Sequence, residues 1–265
     1  MSLIAEHAAD PTASDLKSTL KTWTTALNRW FYPFAGLVML ALTVIGFQLF
    51  YFKGQSYPGR PITPPIRMLV IAHGLSMSLW IVLFAVQPML VALRRRRLHM
   101  ALGRFGAMLA LVIVVLGVVI GIASARVSPP EMVIWGLTPA RFMAVPLISV
   151  AIFGVCVAVG VWKRRKPDVH RAAMLLGTLA TISAAVSRID AISHLYTGTV
   201  WERVFGPFFA TLLIGAALVA VRCVLARNIE RPLVVGFAAL SAASWGILAL
   251  ARTDAWMAFA TLVGG

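Results

Sequence analysis

Four histidines, His73, His99, His170 and His194, lie in or at the edge of long apolar runs. Ionisable side chains at membrane depth are rare and mark functional positions by default. Imidazole is both a proton carrier and a metal ligand, and two imidazoles on opposite sides of a ring are the axial set of a b-type haem. Depth sorts the four into pairs. His99 and His170 follow directly on the basic clusters Arg94-Arg95-Arg96-Arg97 and Lys163-Arg164-Arg165-Lys166, so both open an apolar run at the same face. His73 stands near the opposite end of its run. His194 follows His170 by 24 residues, roughly 36 Å of helix at 1.5 Å per residue, which carries it to that same opposite face.

Neighbouring charges add to this constellation. Arg104 lies five residues past His99 and Arg171 directly follows His170, where haem propionates would need cations; Arg67, Arg141 and Arg203 stand at the other face. Arg188 follows His170 by 18 residues, five whole turns, so a continuous helix puts both on one face. Asp190 precedes His194 by one turn and is placed to orient its ring, as carboxylates behind metal-bound histidines do. The plainer reading of His99, His170 and His194 is an amphipathic edge residue at the water interface.

The elements that must position these residues are membrane helices. The chain has 265 residues, 60% hydrophobic and 12% charged, well beyond the balance of a soluble domain. Seven apolar runs are long enough to span: Phe31–Phe52, Ile66–Leu93, His99–Ser124, Arg141–Trp162, Val169 to about Ile192, Val204–Leu225 and Leu233–Ala251. Between the first two lies a breaker-rich loop, Lys53 to Pro65, and Pro88 is expected to kink the second run. Residues 1–28 read as a polar cytoplasmic tail without a signal peptide, carrying a solvated His7 and a short surface helix near Leu16 to Leu27. Residues 29–252 read as the seven-span domain, and 253–265 as an apolar segment too short to span.

The formal charge of +15 sits in short connections between apolar runs. That is a topology signal and calls for no nucleic acid. With the N-terminus cytoplasmic, 16 basic residues fall inside and 7 outside, so seven spans put the C-terminus in the periplasm. The same clusters suit anionic lipid headgroups. Small-residue pairs such as Gly103/Gly106 and Gly117/Gly121 allow close helix packing. Cys156 and Cys223 read as buried apolar residues. There is no Walker glycine loop, HExxH, serine-hydrolase elbow or lysine in the last span. Acidic residues are too few for a proton relay or a di-metal carboxylate site.

Two resemblances follow from these residues. His73-Gly74 through Gln87-Pro88, the arginines, Leu98-His99 and Leu102-Gly103-Arg104, then His170-Arg171-Ala172-Ala173-Met174 with Arg188, resemble a bacterial family of multi-span membrane proteins without an assigned activity. That likeness covers roughly residues 66 to 195, with Met100 where the family pattern has arginine. A weaker likeness is to the ascorbate-reducible two-haem cytochrome b family, which spreads four histidines over four consecutive helices. Here the fourth run carries none and the fifth carries two.

The expectation is an all-α, polytopic bundle of about seven transmembrane helices in a bacterial inner membrane. Its function would be that of a b-type cytochrome, passing electrons through bis-histidine haem b held by some of His73, His99, His170 and His194, with Arg104 and Arg188 in support. Quinone, membrane lipid and a membrane protein partner are the expected contacts. The alternatives are a non-enzymatic subunit or assembly partner of a larger complex, and a small-solute or metal transporter using the histidines as transient ligands.

Overall fold

A computed structural model describes backbone residues 13–57, 60–62 and 64–264, with side chains from residue 25 onward except at 57–61 and 63. His7 and residues 1–12 of the expected tail lie outside the described residues. Among the described residues, seven helical segments are long and apolar enough to cross a membrane. Helices are the form an apolar chain takes there, because each backbone N–H and C=O must find its partner within the segment.

The first helix, α1 (Ala13–Gly46), merges the expected surface helix with the first span. The run to Phe52 divides there. A short α2 (Gln48–Lys53) follows, then an antiparallel pair, β1 (Gln55–Tyr57) and β2 (Arg60–Pro61), inside the expected loop. Next come α3 (Arg67–Ala92), which contains Pro88, and α4 (Arg96–Val127). The fourth span is a short α5 (Pro139–Phe142) continued by α6 (Ala144–Trp162), and the fifth is α7 (Pro167–Val186). Two short helices, α8 (Asp190–Ser193) and α9 (Val200–Phe205), lead through a single 3-10 turn into α10 (Phe209–Ala226). The seventh span is α11 (Arg231–Ala251). The last helix, α12 (Asp254–Gly264), has 11 residues; at about 16 Å it is too short to span. It lies against α4 and α5, burying Trp256 and Ala260.

The bundle is built around α7, 67% of whose span is buried against 22–39% for the other six. Lipid tails are as apolar as leucine, so helices associate here by close packing rather than by escape from water. Neighbours meet α7 through glycine. A Cβ on Gly46 of α1 would stand 2.1 Å from the Ala185 carbonyl oxygen, and one on Gly236 of α11 would stand 2.4 Å from Leu176 Cδ1. Phe31, Met39, Leu175, Leu179 and Leu233 fill the resulting core, while Leu111, Val155 and Val235 face outward. The glycines of the third span work similarly: Gly117 and Gly121 receive Val150 and Leu147 of α6.

Helix α7 ends at Val186, short of the expected Ile192. The N–H groups of Arg188 and Ile189 turn back to Ala185 and Val186, tightening the last turn, and the Arg188 guanidinium donates to the Ala184 carbonyl. A cation on the unpaired carbonyls of a helix C-terminus is a favourable stop. The expected five-turn alignment of His170 with Arg188 on one helix is therefore absent.

Candidate functional site

Of the four histidines, the structure brings two together. His99, in the first turn of α4, and His170, in the first turn of α7, lie with ring centroids 6.3 Å apart and planes at 88°. Both are half-buried at the face that carries the basic clusters. Each ring is held by a specific group. His170 Nδ1 lies 2.8 Å from the carbonyl oxygen of Gly160 in α6. A carbonyl only accepts, so Nδ1 carries the proton and Nε2 keeps its lone pair.

His99 is held by Gln87 of α3. In the amide orientation that satisfies all neighbours, Gln87 Nε2 donates to His99 Nδ1 (2.5 Å) and to the His99 carbonyl (3.3 Å). Its oxygen accepts from the Gly103 N–H (2.9 Å). This leaves the His99 proton on Nε2. One ring thus presents an N–H and the other a lone pair. Turning the Gln87 amide over lets its oxygen accept from Nδ1–H and frees Nε2 of His99 as well, at the cost of setting its NH2 against the Gly103 N–H.

Beneath the pair the bundle is filled. Gln87, Trp80 and His73 recur every seven residues along α3, close to two turns, so they form one stripe. Trp80 is buried, edge-on to Phe153 at 4.8 Å, and its Nε1 donates to Thr178 Oγ1 of α7 at 3.2 Å. Leu83 occupies the space beside Gly106, and Met174 that beside Gly160.

The other expected site residues are dispersed. His73 lies in α3, where its Nδ1 is buried and has no hydrogen bond among the described residues. His194 is exposed at the end of α8. No ring contact joins these two, so the expected outer pair is not assembled. Asp190 meets His194 through the backbone alone, its carbonyl accepting the His194 N–H at 3.0 Å. Arg188 lies over the Phe47 ring at 5.0 Å, at the end of α7 away from His170. Arg104 is exposed five residues beyond His99, and Arg171 is paired with Asp168 at 2.5 Å.

The fit to haem can be judged on these contacts. Two imidazoles on separate helices, one already in the ligating tautomer, are a donor set for one iron and not for two. A macrocycle has no room deeper in the bundle, where Leu83, Trp80, Phe153 and Met174 close it, so a haem on this pair would have to lie at the basic face. Among the described residues no three His, Cys, Asp or Glu side chains gather as a metal site.

A second polar centre was not anticipated from the sequence. Arg222 of α10, 7% exposed, donates to Glu230 (2.5 Å) and to Asn28 Oδ1 (2.6 Å) at the basic face. Asn28 donates in turn to the Leu225 carbonyl, 2.7 Å. The available signal was an arginine within the sixth apolar run and a glutamate eight residues on.

No family model, curated protein or solved structure matches the chain.

Proposed function

We propose that this protein is an electron carrier of a bacterial inner membrane, holding one b-type haem through His99 and His170 at its basic, cytoplasmic face. One observation carries the reading: the two rings, from different helices, lie 6.3 Å apart. Two metal–imidazole bonds of about 2 Å each, together with the ring radii, need close to that spacing. Haem would supply the one-electron chemistry. The Gly160 carbonyl accepts a hydrogen bond from His170 Nδ1 and leaves Nε2 free as a ligand. Gln87, with its amide turned over, does the same for His99. Arg104, in the third turn of α4, and Arg171, next to His170 in α7, offer cations for propionates. The excess of basic residues at this end supports its cytoplasmic placement, and a quinol in the bilayer is the matching donor.

The test is a reduced-minus-oxidised spectrum of protein purified in detergent from haem-replete cells. A b-type α band that H99A or H170A abolishes and H73A retains is expected; a colourless preparation sinks the proposal.

The filled interior favours a second reading. The two imidazoles form a small donor pair for a borderline transition metal ion, as a transporter would use transiently. Colourless protein that binds zinc in a His99- and His170-dependent way would favour that reading.

A further inference from the structure

In addition to the histidine pair, the basic face carries a cleft of about 580 Å³ among the N-terminal turn of α7, the C-terminal end of α10 and the N-terminal turn of α11. Arg171, Arg222 and Arg231 line it, against two carboxylates, Asp168 and Glu230. We propose that this cleft binds a phosphate-bearing anion.

Three features of the cleft support the assignment. The first is charge: three guanidiniums face two carboxylates, and each carboxylate is already engaged by one arginine, Asp168 by Arg171 and Glu230 by Arg222, both at 2.5 Å. Arg231 is left in excess. The second is convergence. Arg171 and Arg222 both sit over the ring of Tyr32, at 5.4 and 5.5 Å. The ring's electron-rich face attracts each cation but does not neutralise either, so both keep their charge around one side chain. The third is the buried guanidinium. Arg222 is 7% exposed, yet its Nε has no hydrogen bond among the described residues. A buried donor without an acceptor is costly, and it points to an acceptor that arrives from elsewhere.

A phosphate group matches these donors better than a single carboxylate. Its oxygens are distributed around a tetrahedral centre and can meet several guanidinium forks at once. The N-terminal turns of α7 and α11 add partial positive charge on the same side. All three helix ends are ends of segments long and apolar enough to cross a membrane. The shared chemistry is therefore a phosphate, from a lipid headgroup or from solution; basic pockets between membrane helices are known headgroup sites.

The experiment uses the full chain in detergent and in nanodiscs. The probes are phosphatidylglycerol, with phosphatidylcholine as the neutral control, and inorganic phosphate. Native mass spectrometry counts lipid retained after delipidation, and calorimetry follows inorganic phosphate. Arg171→Gln and Arg231→Gln, both at exposed ends of the cleft, are combined, because Arg222→Ala risks misfolding. Arg95→Gln with Arg96→Gln controls for the remote basic cluster. We expect one phosphatidylglycerol retained per chain in the wild type and the R95Q/R96Q control, with retention at least tenfold lower in R171Q/R231Q. Saturable binding of inorganic phosphate with the same dependence, and no lipid preference, supports the site and assigns it a soluble source. Equal retention in R171Q/R231Q and wild type, or no saturable binding of either probe, overturns the proposal.

Discussion

The imidazole of His170 donates its Nδ1 proton to the carbonyl of Gly160, 2.8 Å away across the turn between α6 and α7. Gly160 is the third residue from the end of α6, where carbonyls lack an intrahelical partner. The contact therefore has two consequences: it caps α6 and it fixes which nitrogen is left to bind a metal.

Two substitutions separate those roles. The amide nitrogen of asparagine sits near the place of Nδ1, so H170N keeps the cap and loses the ligand. We expect H170N to remain within about 0.5 kcal/mol of wild type while losing any haem band. H170A loses both the band and about 1 kcal/mol of stability, the usual worth of one hydrogen bond. Melting in detergent and visible absorption read the two effects independently. An H170N protein that keeps the band would remove His170 as a ligand.

The Arg222–Glu230 pair makes a stronger stability prediction. The two side chains are 8% and 12% exposed, so removing the carboxylate strands a buried cation. Glu230→Ala is expected to cost about 3 kcal/mol or more. The double replacement E230A/R222M should cost clearly less, because it leaves no unpaired charge. A double-mutant cycle on melting temperatures checks this, and strict additivity of the two single effects would refute the coupling.

The seven spans were legible in the hydropathy, and the basic clusters placed His99 and His170 at one face before any coordinates. What could not be read was which helix ends are neighbours. The pairing of His99 with Gln87 and of His170 with Gly160 depends on how α3, α4, α6 and α7 meet. The end of α7 was misplaced for a local reason: Ile189, Ala191 and Ile192 let the run read on past Val186 in spite of Arg188 and Asp190, and the stop is made by the Arg188 side chain reaching back to Ala184. That shift moved His194 off the helix and dissolved the expected outer pair. Arg222 was hidden because a basic residue near a helix end reads as topology; only its burial against Glu230 and Asn28 distinguishes it.

Glycine positions give a sharp comparison of packing against propensity. A Cβ at Gly46 would lie 2.1 Å from a backbone oxygen of α7, whereas one at Gly246 meets nothing within 4 Å. Gly46→Ala must push α1 from the central helix and is expected to cost about 2–3 kcal/mol, at the upper end for an overpacked core. Gly246→Ala, inside α11, should be neutral or stabilise by up to about 1 kcal/mol through helix propensity. Thermal unfolding of the two variants side by side tests the α1–α7 contact; equal melting temperatures would argue against it.

Tyr196 gives the pH-dependent prediction. It lies in the connection between α8 and α9, 3% exposed, stacked on Trp135 at 5.7 Å and tilted against Phe209 at 5.2 Å. Burial, with a smaller push from the Glu202 carboxylate, raises its phenol from the usual 10 to about 12. The folded state thus holds a proton that the unfolded chain releases about two units earlier. Below pH 10 both states are protonated and the contribution is constant. Between pH 10 and about 12 the unfolded state alone ionises, so stability falls as pH rises. Tyr196→Phe should remove this part of the alkaline decline. Because the hydroxyl is buried with no hydrogen bond among the described residues, the same change should be neutral or stabilising by about 1 kcal/mol at pH 7. Melting temperatures of the two proteins across pH 8 to 12 decide the point: curves that stay parallel throughout would show that Tyr196 does not titrate in this range.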